Sequence, residues 1–175
     1  LFSQEAKSIK DSSQIDIPLT RGFMSFDDEF GIYINKKRLT PKERTELKIN
    51  LIKLNKENGD SFTINDVPNE YLSKGKTIYE GAKGKLITVL YISTELSNHY
   101  MAREYLVSYD MSGKPVDCIL LANLYLSQDA VGEGIIEGNH VRAQCKSLDE
   151  DADTFALGFD NLFEIAPDLK FVRKD

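Results

Sequence analysis

This sequence has few of the residues that bind soft metals or act as soft nucleophiles. It has two cysteines and two histidines in 175 residues. Cys118 and Cys145 are too far apart for a C-x-x-C redox or zinc pair. Neither His99 nor His140 has a second histidine at ligand spacing. Long apolar runs are missing too. No stretch approaches the roughly 20 apolar residues of a membrane span, and mean hydropathy is -0.35. The nucleophile elbow, the phosphate-binding loop, the dinucleotide fingerprint and the zinc-protease helix are all absent. Gly132-Glu133-Gly134 is a fragment of a Gly-rich loop whose acidic middle would repel phosphate, and Gly81-Ala82-Lys83-Gly84 reads as a hairpin turn. No internal repeat has a fixed period, which argues against a propeller.

What is present suits one soluble domain. The length fits a single core, and nine Phe and eight Tyr supply apolar bulk. The net charge of -6 is uneven. Residues 149–175 hold eight acidic and three basic side chains, whereas 36–56 hold eight basic and two acidic. Such runs read as two solvated faces of opposite sign. The basic run around Lys36, Lys37 and Arg38 has no stacking platform beside it, so nucleic acid is not an expected partner. Residues 1–20 are polar and Ser-rich. They read as a flexible lead-in after a removed export signal, with Glu5, Asp11 and Asp16 arguing against a mitochondrial presequence. The globular domain is expected over 21–175.

The patterning is mostly that of strands. Residues 21–35 alternate imperfectly and suggest one or two strands bent at Asp27-Asp28-Glu29. Thr40, Pro41 and Glu43 form a helix start with a capping box, Leu47, Leu51 and Leu54 follow at helical spacing, and Asn58-Gly59 can stop the helix. The competing reading takes Leu47, Ile49 and Leu51 as a strand. Further strands are expected at Thr77–Tyr79, Leu86–Ser93, Glu104–Tyr109, Pro115–Ala122 and Val141–Cys145. Gly113 marks a tight turn, Gly132 and Gly134 a loop, and Asp160-Asn161 the bend of a final hairpin. Short turns between sequential strands favour antiparallel neighbours. The expected fold is α+β: an antiparallel meander of about six to eight strands with one helix in the N-terminal half, or alternatively a β-sandwich or partly closed barrel.

Few residues stand out as site candidates. Asp149, Asp151 and Asp153 occupy positions one, three and five of an acidic loop, and Asp160 falls at position twelve of the same count, as in a calcium loop. Position six is Thr154 rather than Gly, and position twelve is Asp rather than Glu. The flanks also read as strands rather than helices, so an acidic hairpin loop in water is the simpler reading and no metal site is assigned. Cys118 and Cys145 both fall on the apolar side of their strands. They suit either a disulfide worth roughly 3 to 4 kcal/mol or two buried thiols. Cys145 with His99 makes a nucleophile–base pair of a hydrolase on paper only, since Cys145 falls on the apolar side of its strand, where a thiol is inert. Tyr71, Tyr79, Tyr91, Tyr100, Tyr105, Tyr109 and Tyr125 all lie in or beside the sheet region, where they pack well or, if they share an exposed face, make a platform for sugar or peptide.

The segment EYLVSYDMSGKPVDCILLA (Glu104–Ala122), with KLITVLYIS before it and FEIAPDLKFVRK at the end, resembles small exported proteins of gut Bacteroidetes. The resemblance covers residues 76–175. In that group a Gly usually follows the Asp before the final Lys-Phe strand, whereas here Leu169 follows Asp168. The resemblance implies export to the periplasm or cell surface, sometimes with a lipid anchor upstream, and an antiparallel sheet. It assigns no functional residue. The expected function is therefore a non-enzymatic exported domain that binds a protein or glycan. A hydrolase and a calcium-stabilised module are the alternatives.

Overall fold

The computed structural model describes residues 15–23, 36–58, 62–96, 99–125, 130–149 and 154–174. These form nine antiparallel strands in sequence order: β1 (Ile17–Phe23), β2 (Leu72–Gly81), β3 (Gly84–Leu96), β4 (His99–Asp110), β5 (Pro115–Tyr125), β6 (Ala130–Gly138), β7 (His140–Asp149), β8 (Thr154–Ile165) and β9 (Phe171–Lys174). β2 to β9 pair sequentially as a meander, and β1 adds to β6. One α-helix among the described residues, α1 (Pro41–Glu46), lies in the N-terminal half. The count is nine strands rather than six to eight, and the sheet is not closed into a barrel.

The meander folds over at its weakest seam. β5 and β6 share two residue pairs, Leu124–Val131 and Tyr125–Ala130. Beyond that seam, Leu86, Leu106, Ile119 and Leu121 from β3–β5 meet Ile136, Val141, Phe163, Ile165 and Phe171 from β6–β9 in one buried core. The opposite face of β3–β5 carries Ile87, Val89, Tyr105, Val107, Tyr109, Cys118 and Leu120, covered by Leu39, Leu47, Ile49, Ile52, Ile64 and Val67 of the helical segment. β3–β5 are thus buried on both faces. That is why LITVLYI and CILLA are nearly continuous apolar runs instead of alternating ones.

Several sequence expectations are corrected. The globular part begins before residue 21: Ile15 and Ile17 are in the core, because a strand entering at β6 needs an apolar anchor on its inner side. Of the expected strands over 21–35, residues 21–23 end β1, and the rest lie outside the described residues. The helix stops at Glu46, with the capping box intact, rather than running to Asn58. Lys48 adopts a left-handed conformation (φ 48°), and 3-10 turns follow at Ile49–Leu51 and Lys56–Asn58. A six-residue helix has little stability alone, so packing decides its length. The bend buries Ile49 and Ile52 and leaves Leu51 56% exposed. Gly132 and Gly134 lie inside β6, not in a loop. A Cβ at Gly132 would stand 1.9 Å from Asn123 Oδ1, and one at Gly134 2.4 Å from Leu121 Cγ. They are glycines because β6 passes directly over β5. Asp160-Asn161 is not a bend either. β8 runs straight through it, opposite Gln144 and Ala143 of β7, and the last hairpin joins β8 to β9.

That last turn explains the missing Gly after Asp168. Leu169 takes up the left-handed conformation itself (φ 68°), and its side chain is buried in the sandwich core. Apolar burial there outweighs the cost of about 1 to 2 kcal/mol for a left-handed non-Gly residue.

Between β5 and β9 the edges are joined by side chains instead of a ladder. Asp117 Oδ2 on β5 accepts from Phe171 N (2.8 Å) and from Asn55 Nδ2 (2.7 Å), and Oδ1 accepts from Cys118 N. Asn55 Nδ2 also donates to Phe171 O, and Arg173 N donates to Glu57 Oε2. Leu120 N donates to Asn58 Oδ1 (2.6 Å), while Asn161 Nδ2 donates to Asn58 O (3.1 Å). The segment Asn55–Asn58 is a clasp that supplies partners to two strand edges at once.

Candidate functional site

Among the described residues the sheet has no open, continuous aromatic face. Tyr105 and Tyr109 are fully buried, and Tyr79 packs half-buried against the sandwich core. The side chains of Tyr100 and Tyr125 lie outside the described part. The remaining tyrosines meet elsewhere. Tyr71 and Tyr91, both half-buried, converge with Phe62 and Arg103 at the rim where the helical segment ends on the sheet. Phe62 lies 4.8 Å from Tyr91, centroid to centroid, and 6.2 Å from Tyr105 in a stacked pose. Tyr71 lies 6.3 Å from Tyr91. The Arg103 guanidinium sits 4.6 Å over the Phe62 ring, and its Nη1 donates to the Tyr105 hydroxyl (3.3 Å). Register places these groups: Tyr91 and Arg103 are directly opposite on β3 and β4, so their side chains leave the same face. The 3-10 turn Asn69–Tyr71 delivers Tyr71 just before β2 begins. A cation on a ring face is held by the ring's quadrupole, and the cluster offers apolar rings beside a fixed donor.

Arg44 shapes the loop behind this rim. Its guanidinium donates to Val67 O, Asn65 O, Asn69 Oδ1 and Asn50 Oδ1. That fan of bonds holds residues 65–69, and so the approach to Tyr71, in one conformation.

Glu104, next to Arg103, points to the opposite face and is buried. Burial pushes its carboxyl above the ordinary range, while a hydrogen bond with Thr88 and the charges of Lys76 and Lys36 pull it back. A shallow cleft between the β2–β3 and β4–β5 turns is lined by Glu80, Gly81, Gly84, Lys85, Asp110 and Met111. Asp110 Oδ1 is occupied there, accepting from Ser112 N, Ser112 Oγ and Lys114 N.

The calcium candidates are not gathered in full. Asp149 ends β7, paired with Thr154 of β8. Asp151 and Asp153 lie outside the described residues. Asp160 stands six residues along β8 from Thr154, about 20 Å at ~3.3 Å per residue. It forms a two-pronged ion pair with Arg142 (2.9 and 2.6 Å), which holds its carboxyl below the ordinary range. Among the described residues no group of three His, Cys, Asp or Glu converges on a metal-sized space.

His140 is exposed at the start of β7, while His99 opens β4 with its side chain outside the described part. Cys118 is a free, buried thiol whose pKa burial pushes far up, which is the inert state. The Cys145 side chain is not among those described. No helix among the described residues is long and apolar enough to cross a membrane.

Sequence reasoning missed Phe62, Arg103, Asn55, Asn58 and Asp117. A signal existed for two of them. Arg103 and Asp117 each interrupt an otherwise apolar strand, and a charge in a buried strand requires partners. Phe62 and Asn55 gave none, since isolated residues in loops follow no period, and Asn58 was legible only as a helix stop.

No protein-family model matches this sequence, and comparison with curated proteins and with solved structures finds no match.

Proposed function

We propose that this protein is a non-enzymatic, exported binding domain whose partner docks on the rim formed by Phe62, Tyr71, Tyr91 and Arg103. The supporting observation is a half-buried aromatic cluster beside a guanidinium, at the edge of the central strands β3–β5, which are otherwise packed on both faces. Binding sites combine apolar and aromatic walls with a few placed polar groups, and aromatic and Arg anchors dominate binding energy. A glycan is the partner that this chemistry fits first. The flat C–H face of a sugar ring lies on Tyr71 or Tyr91, and its hydroxyls meet the Tyr hydroxyls and the guanidinium. Export is supported by the resemblance over residues 76–175.

A glycan array probed with the labelled protein tests this reading. Binding to a defined set of sugars is expected, weakened at least about tenfold (1.4 kcal/mol) in Tyr71→Ala. Tyr71 is half-buried outside the strands, so the variant should fold. A blank array, together with a protein partner whose affinity falls in Tyr71→Ala, would assign the rim to protein recognition. Unchanged binding in Tyr71→Ala and Tyr91→Ala would remove the rim from the site.

A further inference from the structure

We infer that the rim takes an acidic glycan, one bearing a carboxylate or sulfate, and that Lys74 is the residue that selects it. The inference rests on the docking proposed at Phe62, Tyr71, Tyr91 and Arg103, and it names the class of sugar. Five cations flank the entry into β2: Lys36, Lys37, Arg38, Lys74 and Lys76. They come together because Leu39 N donates to Leu72 O (2.8 Å), which lays residues 36–38 beside the start of that strand. The whole chain has a net charge of -6, so this cluster runs against the general balance.

The five cations are not equivalent. Lys37 is in an ion pair with Glu43 (3.5 Å). Lys36 and Lys76 act on the buried Glu104 carboxyl. Arg38 donates through Nε to Glu70 O (3.0 Å) and through Nη1 to Ser73 Oγ (3.4 Å). Its guanidinium is thereby fixed against the turn that presents Tyr71. Lys74 differs. It is exposed, and among the described residues its ammonium makes no hydrogen bond or ion pair.

Register puts Lys74 on the rim. Leu72 is opposite Tyr91 and Lys74 is opposite Val89. Residues two apart on a strand share a face, and Leu72 and Val89 both belong to the core under the helical segment. Lys74 therefore leaves the same face as Tyr91 and stands diagonal to it, roughly 7 to 8 Å away. Arg103 is directly opposite Tyr91 on the other side, on β4. Tyr91 thus lies between two cations from neighbouring strands. The Arg103 guanidinium is already engaged by Phe62 and the Tyr105 hydroxyl, which leaves Lys74 to meet an added anion. A sugar ring on Tyr91 or Tyr71 brings an acid group within reach of it. Glu70 is exposed beside Tyr71, but the two are successive residues of a 3-10 turn. With three residues per turn their side chains leave about 120° apart. Lysine on an edge strand also deters strand pairing, and that role alone requires no effect on sugar binding.

The test is a panel of matched probes: oligogalacturonate and its methyl ester, dextran sulfate and dextran, and neutral xylan and mannan oligosaccharides. Binding is measured for wild type, Lys74→Gln, Lys74→Arg and Tyr71→Ala, with melting temperature as the check on folding. An acidic probe is expected to bind and its neutral counterpart not to, and the better of the two acidic probes tells carboxylate from sulfate. Affinity should fall about fivefold in Lys74→Gln, the upper worth of one exposed ion pair, and be largely kept in Lys74→Arg. It should be lost in Tyr71→Ala, and it should weaken between about 50 and 500 mM salt. Equal binding of neutral probes that still depends on Tyr71 would overturn the acid selection and leave the rim as a glycan site. Acidic binding unchanged in Lys74→Gln would overturn the role of Lys74. Acidic binding unchanged in Tyr71→Ala would mean charge attraction away from the rim and overturn the inference. No binding to any probe would overturn it together with the glycan reading on which it rests.

Discussion

Two single residues sit in environments that their chemistry alone would not choose. Glu104 is a carboxyl buried between strands, and burial raises its pKa against the pull of Thr88, Lys76 and Lys36. The native state therefore holds a proton that the unfolded protein has already lost once pH passes the usual carboxylate range of about 4.3. This contribution favours folding below that range and is lost as pH rises through the folded value. Glu104→Gln removes the titration. Its melting temperature should match wild type in acid and exceed it near neutral pH, by about 2 to 4 °C per kcal/mol recovered. Parallel melting curves at all pH values would show that Lys76 and Lys36 fully compensate the charge. Leu169 shows the opposite balance. Leu169→Gly relieves the left-handed backbone but empties a core position next to Gly84. Since a buried Leu contributes about 2 to 3 kcal/mol and the strain is smaller, a net loss of about 1 to 2 kcal/mol in urea unfolding is expected. A more stable variant would mean that the strain outweighs the packing.

At the scale of elements, the short helix is held at its end by the sheet. The Tyr109 hydroxyl on β4 donates to Leu47 O (2.9 Å) at the C-cap of α1, in a fully buried setting. Burial pushes this hydroxyl's pKa far up, so it remains a donor at any working pH. Tyr109→Phe leaves the Leu47 carbonyl buried without that donor. A cost of about 1 to 3 kcal/mol is expected, read as a lower urea midpoint at unchanged m-value. Amide exchange should rise first over residues 47–52, and a variant as stable as wild type would show that the bend at Lys48 holds without it. The same contact explains what the sequence could and could not disclose. The capping box at Thr40–Glu43 and the tight turn at Gly113 are local, and both were legible. The end of the helix was not, because the pull of Ile49 and Ile52 into the sheet is tertiary and overrides the helical spacing of Leu47, Leu51 and Leu54. Gly132, Gly134 and Asp160-Asn161 misled for the same reason. Turn-type residues occur there because another strand or the clasp lies against them. Of the candidate rim, only its tyrosines could be named in advance, without any means of knowing which of them share a face.

For the whole molecule, the question is what keeps the two halves of the folded meander together. Their ladder connection is the two-pair seam between β5 and β6. At the opposite side the bond between β5 and β9 passes through Asp117 and Asn55, with Glu57 and Asn58 beside them. If this closure couples the halves, its members are not independent. Asp117→Ala strips acceptors from Phe171 N, Cys118 N and the Asn55 amide together, and a loss of about 2 to 4 kcal/mol is expected. Asn55→Ala removes the bonds to Asp117 and Phe171 O and should cost less, since Phe171 N keeps its carboxylate. The double variant should then fall short of the sum of the two by about 0.5 to 3 kcal/mol, the coupling typical of residues in one network. Exchange at Phe171 and along the β8–β9 ladder should rise in Asp117→Ala before the β3–β4 ladder responds, because β3–β5 keep the helical segment on their other face. Strict additivity, with exchange rising evenly over both halves, would instead mean that the apolar sandwich core alone joins them and that the clasp is only an edge cover.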